Sequence, residues 1–108
     1  MEERRSATRL RTNLQARWQT LKTEGRGTVC DLSTTGCFVL TGGDFAPREL
    51  VRMDLLLPQE VVTLWGNVIY SVNEMGFAVR FLFSGTDEAA FEQSFRALEV
   101  KVRELTEV

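Results

Sequence analysis

From Asn13 to Phe83, apolar side chains recur at every second position, the spacing that puts alternate residues on one face of an extended strand. Leu14, Ala16 and Trp18 form the first such set, separated by Gln15, Arg17 and Gln19, as in a half-buried strand. The polar stretch 22–27, with two glycines, reads as a hairpin loop, and Thr28 to Leu32 as a short second strand. Asp31-Leu32-Ser33-Thr34-Thr35-Gly36 is a run of turn formers, after which Cys37 to Thr41 returns as a third strand. Thr41-Gly42-Gly43-Asp44 and Pro47 mark a longer loop, and Val51, Met53, Leu55 and Leu57 alternate until Pro58 stops that strand. In Val61 to Ser71 both interleaved sets are largely apolar: Val62, Leu64, Gly66, Val68 and Tyr70 on one face, Val61, Trp65 and Ile69 on the other. A mid-strand glycine at position 66 predicts a bend or bulge. Phe77, Val79, Phe81 and Phe83 close the series. Six strands on short loops predict a mainly β, antiparallel barrel or sandwich, because parallel strands need long crossovers.

After Phe83 the period changes. Phe91, Phe95, Leu98, Val102 and Leu105 recur at three and four residues, the stripe of an amphipathic helix packed on its own barrel. Ser84 and Asp87 supply a capping box for its start. Residues 2–12 carry no period and read as a flexible arm. The division expected is therefore an arginine-rich arm over 1–12, a barrel over 13–83 and a helix over 84–108, all one domain, as 108 residues with 44% hydrophobic content allow. The longest apolar stretch is interrupted by Thr63, Gly66, Asn67 and Ser71 and falls short of the about 20 residues of a membrane-spanning helix. The start carries both signs of charge and no apolar run, unlike a secretory signal, so a cytoplasmic location is expected.

Composition also narrows the chemistry. With no histidine and two cysteines, the chain lacks the means for a four-ligand zinc site of the usual kind or a histidine base. Asp87 with Glu88, and Glu104 with Glu107, fall on the predicted helix as a solvated face. No catalytic residue, metal ligand or cofactor is expected, and the chain does not read as an enzyme. Cys30 and Cys37 read as small hydrophobes and Trp18 and Trp65 as core.

Residues 1–27 hold seven Lys/Arg and three Asp/Glu, and residues 28–108 hold six and twelve, so a head of +4 precedes a body of −6. Such an arm meets an anionic partner or lies on its own acidic domain. Arg4, Arg5, Arg9 and Arg11 supply it with planar donor forks that suit phosphate oxygens and the O6/N7 edge of guanine. Asp31, Ser33 and Gly36 have two readings. They are ordinary turn residues, the glycine supplying a positive φ, and equally a carboxylate for a guanine donor edge, a hydroxyl, and a glycine that lets a ligand approach.

Arg5-x-x-x-Arg9 ahead of the first strand, with Asp31-x-Ser33-x-x-Gly36 between strands two and three, resembles the signature of the PilZ domain family. The resemblance covers most of the chain. Arg4-Arg5-Ser-Ala-Thr-Arg9 is similar to the family's arm, and Val29-Cys30-Asp31-Leu32-Ser33 with Gly36-Cys37-Phe38-Val39 to its second motif. Gly66-Asn67-Val68-Ile69-Tyr70 and Gly76-Phe77-Ala78-Val79-Arg80-Phe81 resemble its later strands. It implies a six-stranded antiparallel β-barrel with a C-terminal helix that binds the bacterial second messenger cyclic di-GMP. By the same resemblance, Arg5 and Arg9 would grip guanine edges and phosphates, with Arg4 adding a contact. Asp31, Ser33 and Gly36 would lie beneath a guanine, and Tyr70 would stack on it where the family more often has tryptophan. A stand-alone receptor or adaptor follows, a monomer or ligand-linked dimer that relays the signal to an unidentified downstream protein. One rival is a PilZ-like docking module that binds no nucleotide. Another is an oligonucleotide-binding barrel, against which the acidic body argues, so no DNA or RNA is expected.

Overall fold

The computed structural model describes residues 9–43, 45–58, 60–83 and 85–106, with side chains as far as Lys101. Six strands, β1 (Leu10–Gln19), β2 (Glu24–Leu32), β3 (Gly36–Leu40), β4 (Leu50–Leu56), β5 (Val61–Val72) and β6 (Gly76–Leu82), precede one helix, α1 (Asp87–Thr106). They close into a barrel in the order β1-β2-β3-β6-β5-β4, every neighbouring pair antiparallel. This is the architecture that the family resemblance implies, and of the barrel and sandwich that the alternation leaves open it is the barrel.

The inward residues do what their spacing requires. Val29, Leu32, Val39, Val51, Met53, Leu55, Val68, Phe77 and Val79 are fully buried and form the barrel's interior. Phe45, in the β3–β4 loop, caps the interior beside Phe77, their ring centroids 4.2 Å apart, and Trp18 meets both rings edge-on. Farther along β6, α1 lays Phe91, Phe95 and Leu98 against the same core, with Phe91 5.4 Å from Phe81 and 5.9 Å from Phe83. The side chains of Val102 and Leu105, the rest of the predicted stripe, lie outside the described residues. None of the described helical residues forms a segment long and apolar enough to cross a membrane.

Several sequence expectations are corrected. The first strand begins at Leu10, before Asn13, and the second at Glu24, so the predicted 22–27 loop contracts to a turn at Thr20–Thr23, where Thr20 N donates to Thr23 O. Gly25 and Gly27 are strand residues: a Cβ on Gly25 would lie 2.7 Å from the Trp18 indole, and one on Gly27 2.7 Å from Leu40 O. Their lack of a side chain serves close packing, not turning. Trp65 is not core; it belongs to the outward set of β5 and is 48% exposed. Cys37 is buried as expected, its Sγ 3.8 Å from Met53 Sδ, whereas Cys30 is half-buried, and both thiols are free. At the helix start Thr86 O accepts the first helical bond, from Ala90 N, and Gly85 takes φ +61°. Asp87 is thus the first helical residue and not the third of a capping box; Ser84 lies outside the described residues.

Candidate functional site

Three strand irregularities shape one side of the barrel. Thr12 and Asn13 on β1 together oppose Cys30, Cys30 is in turn the extra residue against β3, and Ile69 is the extra residue between Val68 and Tyr70 against β6. A bulge shifts the alternation by one position and re-aims the side chains after it. The effect is clearest on β5: Leu64 and Val68 are buried, whereas Ile69 and Tyr70 are both exposed, Tyr70 by 52%. Strict alternation would send Tyr70 inward with Val68; the bulge at Ile69 turns it out. The predicted irregularity at Gly66 therefore lies at Ile69 instead. Gly66 is needed for another reason, since a Cβ there would sit 2.6 Å from Arg80 O on the neighbouring strand.

The bulged side holds a hollow of about 400 Å³. Arg9, Asp31, Ser33, Gly36 and Tyr70 all contribute to its lining, so five of the seven predicted site residues meet there. Arg4 and Arg5 lie outside the described residues. No ion pair among the described residues engages Arg9 or Asp31, leaving a guanidinium fork and a carboxylate to face the same space.

Ser33 and Gly36 have work within the fold. Ser33 Oγ accepts from the backbone amides of Thr35 and Gly36, each at 3.2 Å, and Ser33 N donates to Gly36 O at 2.9 Å. These bonds hold the β2–β3 turn shut. Thr35 O accepts from Phe81 N at 2.8 Å, tying the turn to β6. Gly36 pairs with Arg80, and a Cβ on it would come 2.2 Å from Val79 O. Its φ is not positive; Gly43 and Gly85 are the described glycines that have that conformation. The expected positive-φ role is thus replaced by a close approach of strand to strand.

The hollow also contains residues that sequence reasoning did not single out. Phe38 on β3 and Tyr70 on β5 both pair with Ala78 on β6, and over that small residue their rings come within 6.2 Å at a tilt of 38°. Together they form an aromatic shelf. Ile69 and Arg80 also line the hollow, Arg80 adding a second guanidinium. The signal for Phe38 and Arg80 was their place on the outward set of their strands; recognising it required the register between β3 and β6. Cys37 contributes no chemistry here, because burial, reinforced by the nearby Cys30 thiol, pushes its thiol well above the ordinary range and keeps it protonated. Among the described residues, no three His, Cys, Asp or Glu side chains cluster as metal ligands would. What the arrangement offers is recognition: an aromatic shelf for a planar ring, a carboxylate for a donor edge, and guanidinium groups for phosphate or carbonyl oxygens.

The family model described as PilZ domain matches residues 3–99. Among solved structures, the chain is similar to the "PilZ domain with c-di-GMP of YcgR from Escherichia coli", with a TM-score of 0.79 at 19% identity, covering 97% of this chain and 98% of that one. It is also similar to the PilZ domain of CeSA from a cellulose-synthesizing bacterium, with a TM-score of 0.72 at 18% identity over 85% of this chain and 98% of that chain. A third likeness is to the Bacillus subtilis inhibitor of motility MotI/DgrA, with a TM-score of 0.68 at 18% identity; it covers 94% of this chain but spans 54% of the length of that one. Among curated proteins, no sequence matches.

Proposed function

The chain belongs to the PilZ domain family, and on that premise we propose that it binds cyclic di-GMP in the hollow between β2, β3, β5 and β6. The observation that carries this reading is the convergence of Arg9, Asp31 and Tyr70, distant in sequence, on one 400 Å³ space. One guanine stacks on the shelf of Tyr70 and Phe38, and Asp31 accepts from its N1 and N2 donors. Arg9, with Arg5 and Arg4 from the arm that precedes β1, takes the phosphates and the guanine O6/N7 edge. Ser33 and Gly36 act by fixing the turn that carries Asp31. That the similar YcgR domain holds c-di-GMP supports the ligand assignment.

The role is that of a non-enzymatic, cytoplasmic receptor or adaptor that relays the messenger to a partner protein, as a monomer or a ligand-linked dimer. Binding orders the arm on the barrel, and part of the interaction energy goes into that ordering. The test is a calorimetric titration with cyclic di-GMP beside GTP and a linear dinucleotide, repeated with Arg5→Ala and Arg9→Ala. The expected result is selective binding of the cyclic dinucleotide, weakened by either substitution more than about tenfold, or 1.4 kcal/mol.

A second reading is a docking barrel that binds no nucleotide. It is favoured by the finding that Ser33 and Gly36 are both accounted for by the fold, so their presence does not by itself require a ligand. Absence of heat and of thermal stabilisation at hundreds-of-micromolar ligand would select it; a micromolar ligand at such concentrations should stabilise measurably, by about 2.7 kcal/mol at a hundredfold excess over Kd.

A further inference from the structure

One face of the barrel carries exposed side chains that neither the core nor the proposed nucleotide site uses. Trp65 stands on the outer face of β5, with Arg52 of β4 and Leu82 of β6 as its cross-strand neighbours, both also exposed. Leu21, in the β1–β2 turn, is 94% exposed. Leu21, Leu50 and Trp65 wall a hollow of about 330 Å³ together with Arg52. A second hollow of about 400 Å³ adjoins it, sharing Gln19 and Arg52 and adding Arg17 and Arg26. Neither has a lining residue in common with the nucleotide hollow.

The face is cationic. Arg17, Arg26 and Arg52 line it against two carboxylates, Glu24 and Asp54. Asp54 is already engaged, lying 3.7 Å from Arg17 Nη2, 3.6 Å from Arg52 Nη2 and 2.8 Å from Thr63 Oγ1. Two five-donor guanidiniums sharing one carboxylate keep donors in reserve. Trp and Arg are among the residue types most enriched at the energetically dominant positions of protein interfaces.

We infer that this face docks an acidic segment of a partner protein. A bulky apolar side chain of that segment seats against Leu21, Leu50 and Trp65, and its carboxylates meet Arg52, Arg17 and Arg26. The surface is a pair of concavities, which suits an inserted side chain better than a flat bilayer. Its cation surplus is small and interrupted by Glu24 and Asp54, unlike a phosphate-backbone track. The inference rests on this face alone and stands whether or not the other hollow binds a nucleotide.

The test uses Trp65 as reporter, since Trp18 is buried, with Trp65→Phe as the control that removes the signal. The full chain is titrated with a short peptide in which Asp and Glu flank two leucines, with the same peptide carrying Lys for each acid, with phosphatidylglycerol vesicles and with single-stranded DNA. The expected result is a saturable blue shift with the acidic peptide alone. Leu21→Asp, a change at a fully solvated turn that leaves thermal melting unchanged, weakens it at least about tenfold, as does Arg52→Gln. Cyclic di-GMP titrations of Leu21→Asp match those of the parent chain, which separates a failure here from a failure of the nucleotide reading. No response to the acidic peptide, an equal response to the lysine peptide, or a shift with vesicles or DNA in its place overturns the inference.

Discussion

Gly36 and Ser33 illustrate how a residue that marks a ligand motif can be held in place by the fold itself. Because a Cβ on Gly36 would sit 2.2 Å from Val79 O, a backbone atom, Gly36→Ala should destabilise the ligand-free chain by about 1–3 kcal/mol, the ordinary cost of overpacking; urea unfolding measures it. Ser33→Ala deprives the Thr35 and Gly36 amides of their shared acceptor and should cost about 1–3 kcal/mol in the same assay. Tyr70 behaves in the opposite way. Being half-exposed on the bulged strand, Tyr70→Ala should leave the unfolding midpoint nearly unchanged while removing about 1–3 kcal/mol of cyclic di-GMP affinity through lost stacking. Such roles were partly legible in the sequence. Residue types at Asp31, Ser33 and Gly36 announce a turn with binding potential, but the duty of Gly36 depends on a contact with β6 that is remote in sequence.

At the scale of elements, the alternation of Leu14, Ala16 and Trp18, and later of Phe77, Val79 and Phe81, made the strands readable because the barrel interior takes every second side chain. The start of β2 was not readable, since Gly25 and Gly27 look like turn glycines until Trp18 and Leu40 are found against them. Bulges were equally hidden: an inserted residue such as Ile69 has no compositional signature of its own, and it decides whether Tyr70 faces the core or the outer hollow. The helix was legible from its changed period, and its docking makes a prediction. Phe91 is 2% exposed and packs on the rings of Phe81, Phe83 and Phe95, so Phe91→Ala should cost about 3–5 kcal/mol, read as a lowered melting temperature with loss of helical circular dichroism. By contrast, thiol reagents should modify half-buried Cys30 in the native chain well before buried Cys37, whose burial suppresses its ionisation and keeps it unreactive; mass spectrometry of partially labelled protein reports the order.

For the molecule as a whole, the barrel separates two surfaces with different chemistry. One gathers Arg9, Asp31, Phe38, Tyr70 and Arg80 around a hollow fit for a planar anionic ligand, and the other sets Trp65 and Leu21 among arginines. A small closed barrel suits such an arrangement, because its core is filled by one set of side chains and the outward set of every strand is left free for recognition. The formal charge of −2 conceals this division. The central claim, that the first hollow receives cyclic di-GMP, is met most directly by backbone amide NMR of the chain titrated with the dinucleotide. The account predicts saturable shifts concentrated at Arg9, in the Asp31–Phe38 turn and strand, at Ile69 and Tyr70 and at Ala78–Arg80, with Trp65 and its neighbours unmoved. Shifts confined to the Trp65 face, or none at saturating ligand, would contradict it.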